Sequence, residues 1–383
     1  MKKSFALLTS VFFIGNLYLN ELPIIEYKSI NHPIIDNDGM VVSQRMIASE
    51  VGAEILRQGG NAVDAAVATG LALAVVLPRA GNIGGGGFMV IHLKDDDKTL
   101  TIDYREKAPA TAHRDLFLDE NGDYDRSKAQ FSLLSAGVPG SVAGFYYALT
   151  NYGTMSWQDV LKPSIKLAEE GFVIPHDLAN TLASKRYKER LSSDPAASKV
   201  FYKADGSLYQ AGEILLQNDL ASTLKKISKF GPDAFYRGDI AKLIAREMQL
   251  NGGLITLGDL DNYNIVEREP LVGSYKGFKI VSMPPSSSGG THLIQMLNML
   301  EEFPIKEMGF GSSETIHILA EVMKRAYADR SKYLGDSDFY KVPSSLISKD
   351  YARSLNENIS SNTITPSSEV YPGDPYPFES PDT

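Results

Sequence analysis

The 383-residue chain has no cysteine, one tryptophan and six histidines. The absence of cysteine excludes disulfides, a thiolate nucleophile and any Cys-based metal site. His32, His92, His113, His176, His292 and His317 are scattered without an HExxH pattern or a short ligand cluster, so no metal is expected. Basic residues are in deficit: 38 Lys and Arg against 47 Asp and Glu leave a net charge of −9. That balance argues against nucleic acid or an anionic lipid surface as a partner, and leaves charged small molecules open. Past the N-terminus every apolar run is short or interrupted, and none reads as a membrane span.

What is present is ordinary globular material, 43% apolar and 22% charged, enough for a large core. The start, "MKKSFALLTSVFFIGNLYLN", puts Lys2 and Lys3 before an apolar run from Phe5 to Ile14. This is the layout of a secretory signal over residues 1–20, with no crisp cleavage site before Glu21 to fix its end; a buried N-terminal helix is the competing reading. A signal would send residues 21–383 to the periplasm or outside the cell.

From Ser43 the pattern turns helical. Ile47, Val51, Ile55 and Leu56 recur at helical spacing and Gly59-Gly60 ends the run. Asn61 or Asp64 can cap a second helix, nearly all apolar, that stops near Pro78. "FMVIHL" and "LTIDYRE" read as a hairpin turned at "KDDDK". Helices are expected over 142–150, 156–169, 177–191, 218–230 and 239–250. A second hairpin is expected in "EPLVGSYKGFKIVSMPP", with its turn between Gly273 and Gly277. A helix follows "SSSGG", and a longer one covers about Glu314 to Tyr333, with Ile316, Leu319, Met323, Ala326 and Tyr327 along one face. A short helix is expected near 348–357. With helices and strand pairs interleaved and no clear linker, the reading is one mixed α/β body. The proline-punctuated end, "PGDPYPFESPDT", argues against a final helix or central strand.

Few stretches carry chemistry. "GNIGGGG" leads into a strand, lacks GKS/T and is not a phosphate cradle, so no nucleotide or other cofactor is expected; its glycines serve the turn or line a site with backbone. Arg105, in "DYREKAP", stands at a strand end where the following proline forces departure from the sheet. It is either a structural salt-bridge partner or a two-pronged clamp for a substrate carboxylate. Ser287, Ser288 or Thr291 can cap the helix after "MPPSSSGG"; no G-x-S-x-G elbow is present. Asp329, Arg330, Asp336 and Asp338 suit salt bridges and turn capping better than a calcium loop, whose terminal glutamate is missing.

Five stretches, in order, resemble the gamma-glutamyltranspeptidase family: "GGNAVDAAVATGLALAVVLPRAGNIGGGGFMV", "DYREKAPA", "GVPGSVAGF", "MPPSSSGGTHLIQMLNMLE" and "HILAEVMKRAYADRSKYLGDSDF". Leu77 before Pro78 is a small departure. The resemblance implies a precursor that cuts itself into a large and a small subunit, held together in a four-layer αββα sandwich of the N-terminal nucleophile hydrolase type. Residues 21–383 would be the large subunit, with 365–383 as the tail leading to the self-cleavage site, completed by a small subunit not in this chain. Thr383 would be the nucleophile if it is the first residue of the small subunit; otherwise the next residue is. The implied activity is gamma-glutamyltransferase and glutathione hydrolase, with amino acids or peptides as acceptors and Arg105 as the clamp for the substrate α-carboxylate. Most oxyanion donors and α-amine contacts would come from the small subunit. Other amide acylases, poly-γ-glutamate or capsule transpeptidases, a non-catalytic descendant and a solute-binding protein are the alternatives.

Overall fold

The computed structural model describes residues 34–379. The expected signal segment 1–20 and the expected nucleophile Thr383 lie outside the described residues.

Helix α1 (Met46–Arg57) and helix α2 (Ala62–Val76) pack as a pair. Asn61 and Asp64 act together rather than as alternatives: the Asn61 side chain accepts from the Asp64 amide while Asp64 accepts from the Asn61 amide, a reciprocal capping box. Gln58 closes α1, followed by Gly59 at φ 90°, a left-handed value that favours glycine. The expected hairpin is β1 (Phe88–Leu93) and β2 (Lys98–Asp103), antiparallel from Phe88 opposite Asp103 to Leu93 opposite Lys98.

The middle is helical: α3 (Arg126–Phe131), α4 (Ser141–Tyr152), α5 (Trp157–Glu170), α6 (His176–Ala183), α7 (Lys185–Ser192) and α8 (Pro195–Phe201). The helix expected over 177–191 is two, broken where Ser184 adopts an extended backbone. A short pair, β3 (Phe172–Val173) and β4 (Ile214–Leu215), precedes α9 (Asn218–Phe230), α10 (Asp233–Tyr236), α11 (Asp239–Leu250) and α12 (Leu257–Asp261). Strand β5 (Val266–Arg268) adds to the free edge of β2. The second hairpin is β6 (Leu271–Tyr275) with β7 (Phe278–Ser282). Its turn is Lys276-Gly277, both at positive φ, as a tight primed turn requires. Gly273 is inside the strand, where a Cβ would lie 2.6 Å from the Ile294 side chain. Then come α13 (Ser288–Leu300), α14 (Ile305–Met308), α15 (Ser313–Tyr333) and α16 (Lys349–Asn356).

Two apolar clusters hold this together. The larger joins α2, β2, α4, α5 and α9, with α2 buried on nearly every side. The smaller joins α13, α15 and α16 through Met299, Ile318, Val322, Tyr333 and Tyr351. In α15 the expected apolar face is mostly the exposed one, with Ala326 its one buried member. Ile316, Leu319, Met323 and Tyr327 are exposed, while Ile318, Val322, Ala326 and Tyr333 face inward. Small and polar positions, including Asp329 and the Glu321–Arg325 pair, complete the inward face and blur the apolar signal.

Among its described residues the tail makes no helix longer than a single tight turn. It is pinned instead: Gly373 donates its amide to Asp329 and accepts from the Tyr333 hydroxyl at 2.6 Å, and Glu379 accepts from Ser344 and Ser345. Among the described residues no helix is long and apolar enough to cross a membrane.

Candidate active site

The site begins where β2 ends. Pairing runs one step past the strand, with Tyr104 and Gly87 exchanging both backbone hydrogen bonds at 3.0 and 3.2 Å. The chain must then turn away, and the glycine run allows it. A Cβ on Gly86 would meet the Tyr104 carbonyl oxygen at 2.5 Å, and one on Gly140 would meet that same oxygen at 2.0 Å. Gly85 accepts from the amides of Gly140 and Ser141, which ties the run to the start of α4. "GNIGGGG" thus acts through close backbone packing, and it supports the turn at Tyr104-Arg105.

Arg105 leaves this turn with its backbone fixed at both ends. Its N–H donates to Asp103 Oδ1 at 3.1 Å and its carbonyl accepts from the Tyr263 hydroxyl at 2.9 Å. Burial raises the Tyr263 pKa, so the phenol keeps the proton it donates. The Arg105 guanidinium sits 5.9 Å from the centre of the Phe88 ring and pairs with no carboxylate among the described residues.

It faces a cleft of about 480 Å³. One wall is Asp103, Arg105 and Arg268 from the β2–β5 sheet; the other comes from the end of α15 and the loop to Asp338, with Ser286 and Ser288 between them. Charges nearly balance: Arg105, Lys107, Arg268 and Arg330 against Asp103, Glu106, Asp336 and Asp338. Most are engaged. Arg268 donates through Nε to Asp103 at 2.9 Å and through both terminal nitrogens to Asp338 at 2.7 and 3.0 Å. The hydrogen bonds from Arg268 hold the Asp338 carboxyl below its usual range. Arg330 donates to Ser288 at 3.2 Å, and Lys107 lies over the Tyr263 ring. A second cavity, about 580 Å³, is walled by Met40, Leu56, Leu73, Met89 and Phe145, and among the described residues Tyr104 is its sole titratable side chain, so these residues offer it little acid–base chemistry.

Of the residues picked out in the sequence, Arg105 is in the cleft. Ser287 is the helix cap of α13, accepting from the Gly289 amide, while Ser288 and Ser286 turn toward the cleft. Asp338 is a salt-bridge partner, as expected; Asp329 is a buried anchor for the tail. Arg268 and Asp103 were not singled out. Nothing in "VEREP" distinguishes a surface arginine from one that bridges two elements, because its partners are 165 and 70 positions away.

The family model described as gamma-glutamyltranspeptidase matches residues 48–383. The chain belongs to the gamma-glutamyltranspeptidase family. Among relatives of this gamma-glutamyltranspeptidase-family chain, the "Glutathione hydrolase proenzyme" of Escherichia coli is 50% identical over 92% of this chain and 60% of the E. coli protein. The crystal structure of Helicobacter pylori gamma-glutamyltranspeptidase superposes with a TM-score of 0.86 at 48% identity, covering 89% of this chain and 97% of that one. Gamma-glutamyltranspeptidase from Pseudomonas nitroreducens, complexed with L-DON, superposes with a TM-score of 0.80 at 36% identity, covering 88% and 99%. The chain spans about 60% of the length of the curated relatives it matches.

Proposed function

We propose that the protein is a gamma-glutamyltransferase and glutathione hydrolase that becomes active by cutting itself before Thr383. In this reading residues 21–383 form the large subunit of a four-layer αββα enzyme, a small subunit from the same precursor completes it, and the signal segment 1–20 directs it to the periplasm or outside the cell. The observation that carries the reading is Arg105: an arginine with a fixed backbone, no carboxylate partner among the described residues, and a cleft in front of it. A γ-glutamyl compound presents an α-carboxylate that such a fork binds with two parallel hydrogen bonds.

The chemistry follows from the bond that breaks. A threonine hydroxyl is a weak nucleophile and needs a base. While Thr383 is joined to Asp382 its nitrogen is an amide and cannot take a proton. Attack of the hydroxyl on the Asp382 carbonyl, then hydrolysis of the resulting ester, frees an α-amine with a pKa of about 7.7–8.0. In turnover that amine accepts the hydroxyl proton as oxygen attacks the γ-carbonyl. The leaving amine takes the proton when the C–N bond breaks, and a γ-glutamyl ester remains on the threonine. Water releases glutamate, or an amino acid or peptide amine takes the γ-glutamyl group. The tail leading toward this bond is anchored as far as Glu379, which accepts from Ser344 and Ser345.

The test is the fate of the full-length precursor. It is expected to mature into two associated chains, the smaller beginning with Thr383, and to hydrolyse glutathione. Thr383→Ala should stay one chain without activity. A smaller chain beginning one residue later would move the nucleophile there; an uncut precursor with full activity would end the proposal.

A further inference from the structure

Four carboxylates line the cleft around Arg105, yet none of them pairs with it. Each is held elsewhere. Glu106 turns its carboxylate toward the glycine run, where a Cβ on Gly85 would lie 3.2 Å from its Oε1. Asp336 accepts from the Asp338 amide at 3.0 Å. The remaining two, Asp103 and Asp338, are both taken by Arg268. Its side chain, 15% exposed, joins the Asp103 carboxylate, 8% exposed, to the loop after α15. The β2–β5 pairing fixes where Arg268 stands, with Thr101 opposite it and the Thr101 hydroxyl donating to its carbonyl at 2.6 Å.

We infer that Arg268 is a positioning residue whose task is to occupy Asp103 and Asp338 and so leave Arg105 free for the carboxylate of the substrate. Without it, two uncompensated carboxylates would share the cleft with Arg105, and an intramolecular carboxylate needs no encounter to compete with a dissolved one. Asp103 would keep its hydrogen bonds from the Arg105 backbone N–H and the Ser286 hydroxyl, whereas Asp338, on the loop after α15, would lose its ion pair and is the carboxylate set free. Lysine cannot replace Arg268, because a single ammonium does not span both carboxylates with the planar fork that reaches Asp103 through Nε and Asp338 through both terminal nitrogens. The inference rests on the γ-glutamyl reading for its substrate, though not for the competition between carboxylates.

The experiment uses the full-length protein and two donors, a γ-glutamyl anilide with a free α-carboxylate and the same compound as its α-carboxamide. Arg268→Gln should raise KM for the carboxylate donor about tenfold or more, with little change in kcat, and leave KM for the carboxamide within about twofold. Adding Asp338→Asn to Arg268→Gln should recover most of the lost affinity. Equal shifts for both donors, or no recovery in the double variant, would reduce Arg268 to a structural tie and overturn the inference. If Arg268→Gln does not fold, Arg268→Lys serves, and a wild-type KM for the carboxylate donor overturns it equally. A readout independent of turnover is the rate at which phenylglyoxal labels Arg105, followed by peptide mass spectrometry. Labelling should slow in Arg268→Gln and recover with Asp338→Asn, whereas an unchanged rate contradicts the inference. Wild-type protein inactive on both donors would instead sink the γ-glutamyl reading, and the labelling rates would still decide the role of Arg268.

Discussion

Each of the two apolar clusters buries an aspartate, and the two are pushed in opposite directions. Asp64, in the first turn of α2, would be raised by burial, but hydrogen bonds from Thr154, Asn61 and Met155 outweigh this and hold its pKa below 3.8. Asp329, one turn before the end of α15, accepts from Tyr351, Gln295 and Gly373, yet burial wins and its pKa is raised. Helix polarity runs with this difference. A carboxylate is favoured at the positive start of α2 and disfavoured at the negative end of α15. The lesson is that a buried carboxylate can serve as a permanent fastener in one region and as a proton-sensitive one in the other, with similar numbers of partners. The cleft lies where the two regions meet, with Arg105 from the first and Arg330 from the second.

The comparison breaks most visibly at Asp64. Asp64→Ala would take the acceptor from the part-buried amides of Asn61, Thr154 and Met155, and should lower unfolding free energy by about 2–3 kcal/mol, read from urea titrations of the full-length protein. The pH dependence has a definite sign. Because the folded pKa of Asp64 is depressed, its contribution is complete above the unfolded carboxylate value and is lost as pH falls through the lower folded one.

Asp329 gives the opposite sign. A raised folded pKa means that the native state binds the extra proton, so its contribution to stability declines as pH rises from 3.8 through the raised value. Asp329→Asn should remove that slope and cost about 1 kcal/mol near neutrality, since an amide offers one acceptor where the carboxylate offers two. Hydrogen exchange at the Gly373 amide should quicken in the same variant. A slope that persists would show that Asp329 is not its source. The smallest expected effect is at the start of α13: Ser287→Ala removes the cap on the Gly289 amide and should cost about 0.5–1 kcal/mol by the same urea measurement.

Much of the fold was legible because the local signals agree with the packing. The α2 run is apolar all round and is buried all round, and the "KDDDK" turn sits between alternating strands. Legibility failed where burial is polar. The inward face of α15 carries Glu321, Arg325 and Asp329, so counting apolar residues selected the outer face instead. The break at Ser184 and the turn at Lys276-Gly277 depend on backbone angles that composition leaves open. For the cleft, Arg105 drew notice at a strand end with the salt-bridge and clamp readings both open, and the family resemblance is what made it the site residue. Arg268 drew none, because its role exists only once β5 joins β2 and the loop at Asp338 folds back across them.

The central proposal is that Arg105 receives the α-carboxylate of a γ-glutamyl donor, and the direct measurement is KM for such a donor in Arg105→Ala against wild type. The account predicts a rise of about 10- to 100-fold, with the self-cleaved chain still appearing at its normal rate. An unchanged KM, with cleavage intact, would contradict it.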